Sequence, residues 1–141
     1  MKNKSPLFLM EQLSMILVFA LAAALCLQGF SLAARSSRRQ ESVSYAATQV
    51  QTAAEFLKST HGDYEQAALY HGGSWNGEQW TIHYDENWTP TSHSQTGTYT
   101  LTVVPIKTDQ VLMGGSHLRM MQGEDILFEI QVAWQEVASH E

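Results

Sequence analysis

Six histidines are the side chains best suited to acid–base or metal chemistry in this chain, and their spacing supports neither. His61, His71, His83, His93, His117 and His140 are scattered, with no HExxH pattern and no close pair. The spacing that sets two imidazoles on one helix face is therefore missing, and they read as surface or strand histidines. Serine, histidine and aspartate all occur, but no nucleophile-elbow motif positions them. Gly72-Gly73 and Gly114-Gly115 read as turns, not as phosphate-cradling loops. The single cysteine, Cys26, lies in an apolar run, so no intrachain disulfide forms. Leu25 stands before it where a lipoprotein site needs a small residue. Trp75, Trp80 and Trp88 offer an aromatic platform for a ligand such as a sugar. Trp80 falls in an alternating pattern and reads as core; Trp75 and Trp88 lie in polar surroundings. Asn87-Trp88-Thr89 matches a glycosylation sequon with Pro90 after it. No catalytic constellation, cofactor or metal is implied.

Glu11 is a different case. Leu13 to Leu27 contain no charge and one polar side chain, Ser14, with Leu7 to Met10 before and Phe30 to Ala34 after. Crossing a bilayer takes about 20 mostly apolar residues at about 1.5 Å each, so this stretch suffices. The rest of the chain is too small to wrap a helix that is apolar all round. Glu11 sits just inside its start. A charged side chain in hydrocarbon costs about 2.5–3.5 kcal/mol on insertion scales, which makes an intramembrane acid a functional candidate. The bland alternative is a solvated acid at headgroup level.

A length of 141 residues suits one compact domain plus appendages. Lys2 and Lys4 precede the apolar run and Arg35, Arg38 and Arg39 follow it, so the positive-inside count is a near tie. From Gln40 onward thirteen acids face only Lys58, Lys107 and Arg119, a net charge of −10. Such a surface repels phosphate backbones, which argues against nucleic-acid binding by this domain on its own.

These residues need elements to hold them. Pro6 sits where a helix starts, a position that tolerates its missing N–H. Leu7–Ala34 read as a transmembrane helix. Val43, Ala46, Ala47, Val50, Ala53, Ala54 and Leu57 continue at the i, i+3, i+4, i+7 spacing of an amphipathic helix, with Phe56 widening the stripe and Gly62 as C-cap. The expectation is one nearly continuous helix from Leu7 to about Ser59, on the order of 80 Å long, weakest at Gly29 and Ser36-Ser37. Asp63 caps a short helix through Tyr70, ended by Gly72-Gly73. The period then changes to two. Trp80, Ile82 and Tyr84 form one strand; Tyr99, Leu101 and Val103 form a second that ends or lies at an edge near Pro105. Leu118 to Met121 make a short third strand after a break at Gly114-Gly115. Gly123-Glu124-Asp125 turn into a last strand carrying Phe128, Ile130, Val132 and Trp134. The fold class is α+β: a long N-terminal helix packed on a small antiparallel sheet of three to four strands, one face buried and one wet. The organisation is a short basic leader at 1–6, a transmembrane helix at 7–34, its amphipathic continuation at 35–60 and a small α+β head at 61–141.

Ser5-Pro6-Leu7-Phe8-Leu9-Met10-Glu11, followed by the apolar run, resembles the N-terminus of type IV pilins and of the pseudopilins of type II secretion and competence systems. Their pattern is a short basic leader, a cleavage point, a hydrophobic first mature residue and a glutamate at the fifth. Cleavage between Pro6 and Leu7 puts Glu11 there. The detailed match covers roughly residues 2 to 34, and beyond it the likeness is architectural. Pro6 departs from the pattern, which has glycine or another very small residue before the cut. The resemblance implies a structural subunit with no enzymatic activity, a head outside the membrane and an N-terminus inside. It implies as partners the lipid bilayer, other pilin-like subunits, a prepilin peptidase and an inner-membrane assembly platform. Glu11 would pair with the N-terminal amine of a neighbouring subunit. Two other readings compete: a membrane-anchored binding module, and a secreted protein whose signal peptide ends at the small-x-small site Ser31-Leu32-Ala33. Intact-mass analysis of membrane-extracted protein separates them. Loss of residues 1 to 6 reports processing at Leu7, a full-length chain excludes it, and a new start at Ala34 identifies the secreted form.

Overall fold

A computed structural model describes residues 4–92 and 97–136. Lys2, His93 and His140 lie outside the described residues. The chain divides into two compact units, Met1–Gln40 and Glu41–Glu141. Helix α1, Lys4–Ser59, belongs to both, and each unit is described in turn.

In the first unit α1 is already helical at Lys4, so Pro6 lies in its first turn, where no N–H is needed. Gly29 and Ser36-Ser37 do not interrupt it. Its apolar side chains stand in the open, with Leu7 71%, Phe19 77% and Phe30 79% exposed. Among the described residues this is the one helix long and apolar enough to cross a membrane, and none of its most apolar window is buried.

The second unit has a core. Ala46, Val50, Ala53, Ala54 and Leu57 of α1 are buried against the sheet, on the stripe that the spacing predicts. The stripe is mostly alanine, which lets the helix backbone approach closely, while Leu57 supplies bulk. The helix ends in a Schellman arrangement: Gly62 N donates to Leu57 O (2.9 Å) and His61 N to Lys58 O (3.1 Å). Two residues of this cap take positive φ, the expected Gly62 (82°) and His61 (52°) one place before it. Helix α2, Tyr64–His71, begins at Asp63, whose carboxylate accepts from Gln66 N at 3.0 Å, and closes with Gly72 N on Ala68 O.

The sheet has six strands, all antiparallel: β1 Ser74–Trp75, β2 Trp80–Tyr84, β3 Pro90–Thr91, β4 Tyr99–Ile106, β5 Met113–Gln122 and β6 Asp125–Gln135. Their order is β1-β2-β4-β5-β6, with β3 beside β2. The two additional strands, β1 and β3, are two residues each, too short for an alternation to show. Trp80, Ile82 and Tyr84 on β2, Tyr99, Leu101 and Val103 on β4, and Leu118 and Met120 on β5 point into the core. Trp80 holds its place by donating from Nε1 to Gly72 O at 2.8 Å.

Of the two readings of Pro105 the edge position holds, and the reading of Gly114-Gly115 needs correction. Strand β4 runs through Pro105 to Ile106, because its pairing with β2 stops at Trp80↔Val103. Beyond Val103 that side of β4 is an edge, where proline is tolerated. Gly114-Gly115 do not break the chain; they lie inside β5, paired with Trp134 and Ala133 of β6. Gly114 is glycine because the Trp134 indole lies over its backbone, whereas a Cβ on Gly115 would meet Thr108 Oγ1 at 3.2 Å. A Cβ on Gly114 would come within 2.5 Å of Trp134 Nε1, and one on Gly62 within 2.5 Å of its Cζ2. The β5–β6 turn is Gly123-Glu124, a two-residue hairpin with glycine (φ 60°) first.

His71 ends α2 against this core. Its ring stacks on Phe56 (5.6 Å) and meets Trp80 edge-on (5.8 Å), and burial lowers its pKa from 6.5. The folded head therefore favours the neutral imidazole. Its contribution is full above about pH 6.5 and is lost as pH falls, because the unfolded chain takes up a proton that the folded chain resists. All four tryptophans lie in the head, so thermal unfolding followed by tryptophan fluorescence reads it alone. Between pH 7 and 5.5 the wild-type midpoint should fall more steeply than that of His71→Phe, which keeps the ring contacts without titrating. Parallel curves would contradict this.

Candidate functional site

The sequence singles out Pro6, Leu7 and Glu11. All three lie on α1 and are exposed. Leu7 and Glu11 are one turn apart, about 6 Å along the axis. Helical side chains lean toward the N-terminus, so the Glu11 carboxylate lies over the turn that holds Leu7. Among the described residues Glu11 makes no ion pair; the salt bridges lie elsewhere. Ser14 Oγ is bonded to Met10 O at 2.8 Å, which satisfies the nearest hydroxyl within the helix. What remains is one carboxylate on an otherwise apolar surface, with no machinery around it to abstract protons or bind metal. Its available chemistry is charge pairing.

The head brings few reactive groups together. No cluster of three or more His, Cys, Asp or Glu suited to a metal occurs among the described residues. His61 caps α1, His71 packs in the core and His83 Nδ1 meets Thr100 Oγ1 at 3.2 Å. Tyr64 and the fully buried Ser116 bond hydroxyl to hydroxyl. Burial raises the pKa of Tyr64, and burial pushes Tyr84 up to about 12, so both phenols stay neutral.

Among the described residues Trp75, Trp80 and Trp88 pack on other rings and not on one another. Trp75 stacks on Tyr64 at 4.6 Å. Trp88 stacks on Tyr99 at 3.9 Å, with Tyr45 of α1 stacked on it at 5.9 Å. Trp88 takes a left-handed conformation (φ 61°) in a turn that Asp85 organises by accepting from Asn87 N and Thr89 N. These rings are structural: they tie loops to the sheet and to α1, and the sequon is folded into that turn.

One group escaped the sequence reading. On the open face of the sheet Glu129 of β6 takes His117 Nε2 at 3.1 Å and Arg119 Nε at 3.3 Å. Arg119 and Glu129 are cross-strand partners. Their opposite charges are visible in the sequence, but the register that pairs them is not. The triad is solvent-exposed, and such pairs contribute about 0–1 kcal/mol. Compared with protein-family models, curated proteins and solved structures, the chain matches none.

Proposed function

We propose that this chain is a non-enzymatic structural subunit of a type IV pilus-like or type II secretion or competence-like filament, a minor pilin or pseudopilin. Its N-terminus faces the cytoplasm and its head lies outside. Its partners are the lipid bilayer, sister subunits, a prepilin peptidase and an inner-membrane assembly platform. The observation that carries this reading is Glu11: an acid with no ion-pair partner among the described residues, one turn after Leu7, on an exposed apolar helix. An apolar environment either pairs such a carboxylate or protonates it. Cleavage before Leu7 creates a positive amine in every subunit, and the amine of a neighbouring subunit is the partner of Glu11. Support also comes from the layout, in which the second half of the long helix packs on a small antiparallel sheet.

Crosslinking in the native membrane tests the role of the acid. Glu11→Gln keeps the size and removes the charge. Insertion should not suffer, since a neutral amide costs no more than a carboxylate at any depth. The head should stay folded. Crosslinking between subunits should fall clearly at matched abundance. Equal yields would reduce Glu11 to an idle interfacial acid and remove the main support for the filament reading.

A further inference from the structure

The apolar stretch of α1 is longer than a bilayer needs. Leu7–Ala34 spans about 42 Å at 1.5 Å per residue, against a hydrocarbon core of about 30 Å. Two placements fit. In the first, Leu7–Leu27 crosses, the Glu11 carboxylate enters hydrocarbon, and Arg35 stands about 12 Å beyond the core. In the second, Leu13–Ala34 crosses. Gln28 and Ser31 are then inside, both neutral, and a helical serine can bond the carbonyl one turn back, as Ser14 does to Met10 O. Glu11 stays at one headgroup level and the arginines begin at the other.

The arginines favour the second placement. Arg35, Arg38 and Arg39 follow i, i+3, i+4 and so share one face of α1. They are the only cations between Lys4 and Lys58. All three are exposed, and no described carboxylate pairs with them. Guanidinium is a planar donor fork matched to phosphate oxygens. We infer that Arg35, Arg38 and Arg39 form a collar that binds lipid headgroup phosphates and fixes the depth of α1, holding Glu11 at the opposite headgroup level in the free subunit. Glu11 then enters an apolar environment only when the subunit is drawn out of its resting depth. The inference rests on the membrane-spanning part of the proposed function and not on the filament.

Cys26, the sole cysteine and exposed on α1, accepts a depth-sensing nitroxide without mutation. The full chain is reconstituted in phosphatidylcholine–phosphatidylglycerol vesicles, and depth is read from collisions with oxygen and a polar nickel complex. The collar placement centres the span near Ala23 and puts Cys26 about 4 Å from the midplane. The other placement centres it at Leu17 and puts Cys26 about 13 Å away, near the surface. Glu11→Gln should leave the label deep, because the collar sets the depth. Glu11→Gln combined with Arg35→Gln, Arg38→Gln and Arg39→Gln should move it outward by several ångströms. Vesicles of an uncharged, phosphate-free galactolipid should move it in the same direction for Glu11→Gln alone. A shallow label in the wild type overturns the inference. So does a label that shifts with Glu11→Gln alone in phospholipid, one that stays deep in the combined variant, or one indifferent to the loss of phosphate. These outcomes need no filament, so failure here leaves the filament reading to its own crosslinking test.

Discussion

The apolar surface of helix α1 has to be covered, and no single medium covers all of it. Residues 46 to 57 present a narrow stripe, and the sheet of the head closes over it until Val50, Ala53 and Leu57 are fully buried. Residues 7 to 34 are mostly apolar, and among the described residues no protein surface encloses their most apolar window. Burying apolar area is the main favourable term in folding, so an unburied apolar helix in water is unstable unless another apolar phase takes it up. The head depends on α1 in turn. Without that stripe, Trp80, Ile82, Leu101 and Leu118 would face water. On the proposed membrane-anchored reading one helix serves two solvents, with the change between them falling in the polar stretch that begins at Arg35.

The fold was legible where one face is buried and the other is wet. The alternation at Trp80–Tyr84 and Tyr99–Val103 and the 3–4 spacing at Ala46–Leu57 mark burial directly. It failed where a residue answers to a neighbour distant in sequence. Gly114 resembles a breaker, yet it is a strand residue that makes room for Trp134, twenty residues away. Pro105 is legible as an edge position, but where that edge begins is set by the length of β2. β1 and β3 are placed by pairing, and in β1 by the stack of Trp75 on Tyr64, and carry no pattern of their own.

The candidate site divides in the same way. Glu11 is legible because a charge among apolar residues is locally anomalous. The fate of Trp88 is not, since polar neighbours in sequence conceal a stack between Tyr99 and Tyr45. Nor is the His117–Arg119–Glu129 group, which exists only through the β5–β6 register. Charge segregation is legible throughout: arginines gather just beyond the apolar stretch, and the chain from Gln40 onward carries −10.

The central claim is that the two halves of α1 are held by different surroundings. Hydrogen exchange along the full chain in lipid nanodiscs tests it most directly. Two protected blocks are predicted, within 13–34 and 46–57, separated by faster exchange near 35–45. Adding denaturant to unfold the head should release the second block and leave the first protected, because lipid and not the sheet shields it. A first block that exchanges as fast as the loops in intact nanodiscs, or two blocks lost together with the head, would contradict the account.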